Sequence, residues 1–191
     1  MSIETSKSSE TVNGAVERKT GFAENASAGG VFTVTCFDKD GNEKWVEIAP
    51  NLVVNVGLQD MNTKFFSGSA YTAAWYVGLV NGTSASTTFS GGDTLASHVG
   101  WDENSSYTGN RKAATFGAAT LADPSNINNA SSTASFTMNA NATIAGAFLA
   151  NVATGTSGIL FSVSDFQAPG DRTVVSGDVL NVTYSFNLDA T

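Results

Sequence analysis

The sequence predicts an all-β protein, an antiparallel β-sandwich or jelly roll of about eight strands with one helix packed on it. Only 14% of the 191 residues are charged, and 19 glycines lie among many Ser, Thr, Asn and Ala residues. Short runs of β-branched and aromatic residues alternate between apolar and polar side chains, and Gly, Asn, Asp or Pro residues separate them. One stretch alone has a helical period. A chain of this length makes one domain with a sizeable core.

The helix is predicted over about residues 54–66. Four apolar side chains recur there at helical spacing and share one face: Val54, Leu58, Met61 and Phe65. Asn51 or Asn55 can cap the start of this helix, and Ser67-Gly68-Ser69 can end it. We expect its apolar face to lie across the β-structure.

Eight runs are predicted to be strands: Gly30–Asp38, Lys44–Ala49, Ala73–Val80, Arg111–Ala119, Thr133–Met138, Thr143–Asn151, Gly158–Ser164 and Val179–Leu188. The first two form a hairpin around the turn at residues 38–43, and the second of them carries Trp45 and, as further apolar residues, Val46 or Ile48. The third is apolar throughout, which predicts burial on both faces. We expect six large side chains in the core: Trp75, Leu79, Phe136, Phe148, Phe161 and Phe186.

The chain is predicted to divide into an extended N-terminal arm, residues 1–29, and a single β-sandwich domain, residues 30–191. The arm offers only four large apolar residues and no sustained period: Ile3, Val12, Val16 and Phe22. Ordering such a segment costs ~1–2 kcal/mol of backbone entropy per residue. We therefore expect the arm to bind neighbouring subunits and to be mobile in the free protein.

The net charge of −8 and the pI near 4.4 make nucleic acid and anionic membranes improbable partners. The first ten residues lack the apolar core of a signal peptide, and no run approaches the ~20 apolar residues of a membrane span. We expect the protein to be made in the cytosol.

The single cysteine, Cys36, is interpreted as a small apolar side chain within a strand.

No residue is predicted to be catalytic or to bind a cofactor or metal. The sequence has no Gly-x-Ser-x-Gly nucleophile elbow and no second histidine to share a metal with His98, so a local hydrogen bond or aromatic packing near Trp101 is expected for His98. The residues Asp38–Glu43 resemble the start of a calcium-binding loop. However, their Gly does not stand at position 6 of such a loop, and position 12 would be Ala49 instead of the Glu that binds calcium. Asp93 is expected to cap a short helix at residues 91–98. The remaining carboxylates that could form a hydrolytic pair are better explained by turns: Asp102, Glu103, Asp165, Asp171, Asp178 and Asp189.

Several motifs, taken in order, resemble a widespread group of small structural proteins of tailed bacteriophages. The resemblance covers about residues 31–188, and Lys112-Ala113 departs from it where such proteins often have Arg-Pro. The motifs are Phe37–Trp45 (FDKDGNEKW), Asn51–Leu58 (NLVVNVGL), Trp75–Val80 (WYVGLV), Asp93–Glu103 (DTLASHVGWDE), Tyr107–Phe116, Thr143–Phe148, Gly158–Phe161 and Val174–Tyr184.

The resemblance implies a virion protein, and a jelly-roll cement (decoration) protein of the phage head is the expected function. Its partners would be the major coat protein and copies of itself, and it would lie on the capsid surface after assembly in the host cytoplasm. A tail- or fibre-associated protein that binds the host is the alternative within the virion. A carbohydrate-binding sandwich is the alternative from another class, with Phe89, Trp101 and Tyr107 as a sugar platform.

Overall fold

The computed structural model describes residues 26–68, 70–82 and 87–190. Over these residues the protein is all-β with one helix, which confirms the predicted fold class. The strands are β1 (Ala26–Phe37), β2 (Glu43–Val53), β3 (Tyr76–Asn81), β4 (Glu103–Asn104), β5 (Lys112–Ala113), β6 (Ser125–Asn128), β7 (Ala134–Thr137), β8 (Ala142–Ala150), β9 (Leu160–Asp165), β10 (Arg172–Val174) and β11 (Val179–Ala190), and the helix is α1 (Asn55–Phe66). All strand pairs among these residues are antiparallel.

The strands follow one another in the order β4-β3-β8-β9-β2-β1-β11-β6, with β10 beside β8, β5 beside β3 and β7 beside β11. Strand β2 belongs to two layers. Its first part, through Pro50, pairs with β1, and its last residues, from Asn51, pair with β9. The chain therefore turns a corner within β2. We call β2, β1, β11, β6 and β7 the first layer, and β9, β8, β3, β4, β5 and β10 the second layer.

The main core lies between the two layers. Phe32 and Val34 of β1 share one hydrophobic cluster with Val77 and Leu79 of β3 and with Leu149 of β8. Five of the six predicted core residues are buried, whereas Trp75 is only half-buried because it lies before β3 at the border of a pocket. Alternation in β11 is confirmed, since its buried residues are Leu180, Val182, Tyr184 and Phe186.

The second layer is also covered on its outer face. There, Val80 and Phe148 pack with Leu95 and Trp101, which belong to the loop between β3 and β4. The prediction that the third run is buried on both faces is confirmed, although the strand begins at Tyr76. No helix forms at residues 91–98, so that prediction was wrong. The buried anchors Leu95 and Trp101 hold this loop in irregular form.

Three short strands, β4, β6 and β10, were not predicted. Each has only two to four residues, too few to give a period in the sequence, so pairing with a neighbouring strand defines it. The run predicted at Arg111–Ala119 pairs with β3 only through Lys112 and Ala113. The count of about eight strands was therefore low.

The bounds of the helix are confirmed within one residue, but its expected packing is only partly right. Gly57 is its buried residue, and a side chain there would collide with the backbone oxygen of Phe161 in β9. The helix thus touches the sheet through a glycine, which leaves Phe65 79% exposed. The predicted N-caps were wrong, since Val54 occupies the N-cap without a side-chain bond, whereas the predicted end of the helix at Ser67 is confirmed. Asn51 lies in β2 and donates from Nδ2 to the Tyr184 hydroxyl at 2.7 Å.

The first strand begins four residues earlier than expected. Residues 26–29, assigned to the arm, pair with β11 through Ala26 opposite Ala190 and Gly29 opposite Asn187. The rest of the predicted arm, residues 1–25, lies outside the described residues.

The hairpin between β1 and β2 is confirmed. Asp38 Oδ1 accepts the backbone N–H groups of Asp40 and Asn42, so the calcium-like string forms a turn.

We expect the free energy of unfolding to fall as the pH rises from about 9 to about 11. Burial, and after it the Asp178 carboxylate, raises the pKa of the Cys36 thiol from 9.0 to about 11. The unfolded chain therefore ionises this thiol at a lower pH than the folded chain. The stability present below pH 9 is lost through this window.

Urea unfolding midpoints measured across this range test that expectation. Cys36→Ala should flatten the slope in the lower part of the window, where the thiol is the main titrating group. Burial also raises the pKa values of Tyr107 and Tyr184, so these phenols extend the fall at higher pH in both proteins. An identical slope in wild type and Cys36→Ala would contradict the assignment to Cys36.

Candidate functional site

The outward face of the first layer carries a broad surface without charge. Ile48 of β2 lies opposite Thr33 of β1, which lies opposite Thr183 of β11. Side chains directly opposite one another share a face of a sheet. We call this surface the neutral face, and its residues are Val31, Thr33, Thr35, Val46, Ile48, Pro50, Asn128, Ser135, Asn181, Thr183 and Ser185.

One edge of the neutral face is apolar. Val46 and Ile48 are 41% and 62% exposed, and the exposed Pro50 continues the same stripe. Val46 and Ile48 are the apolar residues that the sequence names in β2 beside Trp45, and both face outward. The inward positions of β2 belong instead to Glu47 and Ala49. Isolated exposed apolar residues are ordinary, but a stripe in line along one strand marks a surface suited to contact.

The opposite edge of the neutral face is a fixed amide ladder. Asn126 Nδ2 donates to Ser185 Oγ at 2.6 Å and to Asn187 Oδ1 at 2.8 Å. Asn128 Nδ2 in turn donates to Asn126 Oδ1 at 2.9 Å. Because these bonds hold the side chains in place, a partner would meet preorganised amide groups and lose little side-chain entropy on binding.

A second feature is an apolar pocket of about 440 Å³ where the helix meets the open end of the core. Its walls come from both layers and include Met61, Trp75, Leu149, Phe161 and Phe186. The Phe161 ring lies edge-on to the rings of Trp75 and Phe186, with centroids 5.3 and 5.4 Å away. A pocket of this size and lining suits an apolar group.

The rim of the pocket carries the few polar groups that border it. Lys64 Nζ lies 3.9 Å from Asp60 and 5.6 Å from the centre of the Tyr71 ring. The Trp75 indole donates from Nε1 to the Tyr71 hydroxyl at 2.8 Å, and burial raises the pKa of Tyr71. Phe65 completes the rim. The helical period identified Met61 and Phe65 as one face, but only the fold shows that this face borders a pocket.

The residues that the sequence offers for sugar binding or catalysis are held in structural contacts. Trp101 is 2% exposed, and its indole donates to Asp93 Oδ2 at 3.0 Å. The His98 ring stacks on it at 3.9 Å, with Nδ1 2.9 Å from the Trp101 carbonyl oxygen. Tyr107 is buried too, and Phe89 is half-buried against Trp101. The sugar platform of the alternative interpretation is therefore not formed, and the local role expected of His98 is confirmed.

The candidate carboxylates are mostly separated. Glu103 forms an ion pair with Arg111, and Asp178 forms one with Lys44. Burial raises the pKa of Asp165, and the nearby Asp171 carboxylate adds to that shift. Within the described ranges, no group of three or more His, Cys, Asp or Glu side chains could hold a metal ion. No helix in this part of the chain is long and apolar enough to cross a membrane.

Comparison with protein-family models, curated proteins and solved structures gives no match to this chain.

Proposed function

We propose that the protein is a capsid cement protein of a tailed bacteriophage, which binds the coat-protein lattice through its neutral face. The observation that carries the proposal is the neutral face itself. It spans five strands of the first layer, is preorganised at one edge, and has an apolar stripe at the other. The function is binding, and no catalytic role is proposed.

The chemistry of the neutral face suits attachment to a lattice. Hydroxyl and amide contacts depend less on salt than exposed ion pairs do, because no screening of charge is involved. The stripe of Val46, Ile48 and Pro50 offers apolar area that a partner can remove from water, and the surrounding Thr and Asn side chains supply a polar rim.

A lattice requires only modest interfaces from each subunit. Stable protein–protein contacts bury about 1,600 Å² in total, and many linked weak contacts hold a particle by avidity. The ordered set of motifs from Phe37 to Tyr184, which resembles small phage virion proteins, supports the same proposal. The partners are then the coat protein and further copies of this chain on the capsid surface, added after synthesis in the host cytoplasm.

The test is the number of copies per virion, followed by binding to purified heads without tails. We expect hundreds of copies in a fixed ratio to the coat protein. Particles that lack the protein should still assemble but break at a lower temperature. A dozen copies or fewer, all on tails, would overturn the proposal in favour of a tail- or fibre-associated protein.

A matched pair of variants tests the neutral face. Ile48→Glu places a charge at its apolar edge, and we expect binding to heads to weaken at least about tenfold. Val99→Glu is the control, because Val99 is 88% exposed in the loop that covers the opposite layer. Equal binding by both variants would exclude the neutral face as the attachment surface.

A further inference from the structure

No described residue covers the apolar pocket, so a group from outside these residues can enter it. Its walls contain Leu149, Phe161 and Phe186, which elsewhere in the core would be closed off by other side chains. Phe65 stands at its rim with 79% of its surface exposed. An aromatic group entering the pocket would find edge-on partners in the rings of Phe161, Phe186 and Trp75.

The N-terminal residues 1–25 supply a matching group. They contain one aromatic residue, Phe22, in the stretch RKTGFAE, with Arg18 and Lys19 before it and Glu24 after it. The rim of the pocket carries one charge of each sign, Asp60 and Lys64. A segment with basic residues on one side of its phenyl ring and an acidic residue on the other is complementary to such a rim.

The geometry of β1 argues against a segment folding back on its own pocket. Residue Ala26 already pairs with Ala190, whereas the pocket lies at the level of Phe186, opposite Gly30. A direct reversal through residues 23–26 would bring Phe22 no further than Ser27. That is three positions, or ~10 Å, short of Gly30. A second copy of the chain faces no such limit.

We propose that Phe22 of a second copy of this chain inserts into the apolar pocket, with its flanking charges beside Asp60 and Lys64. If two copies exchange their N-terminal segments, both pockets are filled by a closed two-fold contact. The proposal deepens the self-association that the proposed function includes. Its test uses purified protein without capsids, so its failure would leave the coat-binding proposal standing.

The experiment is sedimentation equilibrium of the full-length protein over a wide concentration range. We expect a concentration-dependent dimer whose Kd rises at least about tenfold in Phe22→Ala. Val12→Ala is the control in the same segment. On the pocket side, Phe65→Ala should weaken the dimer more than Phe66→Ala does, because Phe66 reaches the site only through its contact with the Phe65 ring. Phe65 and Phe66 are both 79% exposed, yet only Phe65 lines the pocket.

A peptide experiment identifies the contact directly. A synthetic peptide of residues 14–25 is added to full-length Phe22→Ala, and the fluorescence of Trp75, at the pocket wall, is followed. We expect a saturable change that is lost when the peptide carries Ala in place of Phe22 and in a Trp75→Phe background. A wild-type protein that stays monomeric, equal effects of Phe65→Ala and Phe66→Ala, or no peptide signal would each overturn the proposal.

Discussion

Replacing Phe148 with alanine is expected to lower the free energy of unfolding by ~3–5 kcal/mol. Phe148 is fully buried on β8, and its ring lies over Gly78 of the neighbouring strand, where any side chain would collide with it. The ring centroid is 5.4 Å from that of Trp101, and the Arg111 guanidinium lies 5.1 Å away. The sheet closes this site on one side and the loop on the other, so the cavity cannot collapse.

Urea denaturation with Phe161→Ala as a comparison tests this explanation. Phe161 is another of the residues that the sequence predicts for the core, and in a closed site its loss would also be ~3–5 kcal/mol. It borders the open pocket, so water can enter the space that its ring leaves, and we expect a loss at the lower end of that range. A loss below ~1 kcal/mol for Phe148→Ala would mean that the loop between β3 and β4 does not cover the second layer as described.

The second large effect is expected at Glu47, whose carboxylate is buried at the first layer. Oε2 accepts from Arg172 Nη2 at 2.6 Å, and Oε1 accepts the Gln167 backbone N–H at 3.0 Å. Arg172 belongs to β10, so this ion pair ties the two layers together. Glu47→Ala leaves the guanidinium and the amide without their acceptor. We expect the free energy of unfolding to fall by ~3 kcal/mol, near the lower limit for a broken buried pair, because Arg172 is partly exposed.

Two further variants separate the broken pair from a general effect of removing charge. Lys39→Ala breaks an exposed ion pair with Asp40 and should change stability by less than ~1 kcal/mol. The double variant Glu47→Met with Arg172→Leu removes both charges and should recover much of the loss. A double variant as unstable as Glu47→Ala would show that the charges themselves stabilise the contact between the layers.

Local pattern and tertiary contact contributed differently to the helix and to β2. The helical period located α1 because spacing is a property of the chain alone. It could not show that the close contact runs through Gly57, since a glycine adds nothing to an apolar pattern. In β2, hydropathy favours burying Val46 or Ile48. The fold instead buries Glu47, because Arg172 of β10, which lies far along the chain, forms an ion pair with its carboxylate.

The all-β class, the helix, the hairpin around Asp38 and the alternation of β11 can be predicted from the order of the residues. All of these depend on turn residues and on periods of two or 3.6 within a short window. The short strands, the neutral face and the apolar pocket follow only from the way the chain folds. These features arise where β1, β2 and β11 align, and where α1 meets β9, between residues far apart in the chain. Such pairings leave no local signal, because the energy that selects them comes from contacts made only in the folded protein.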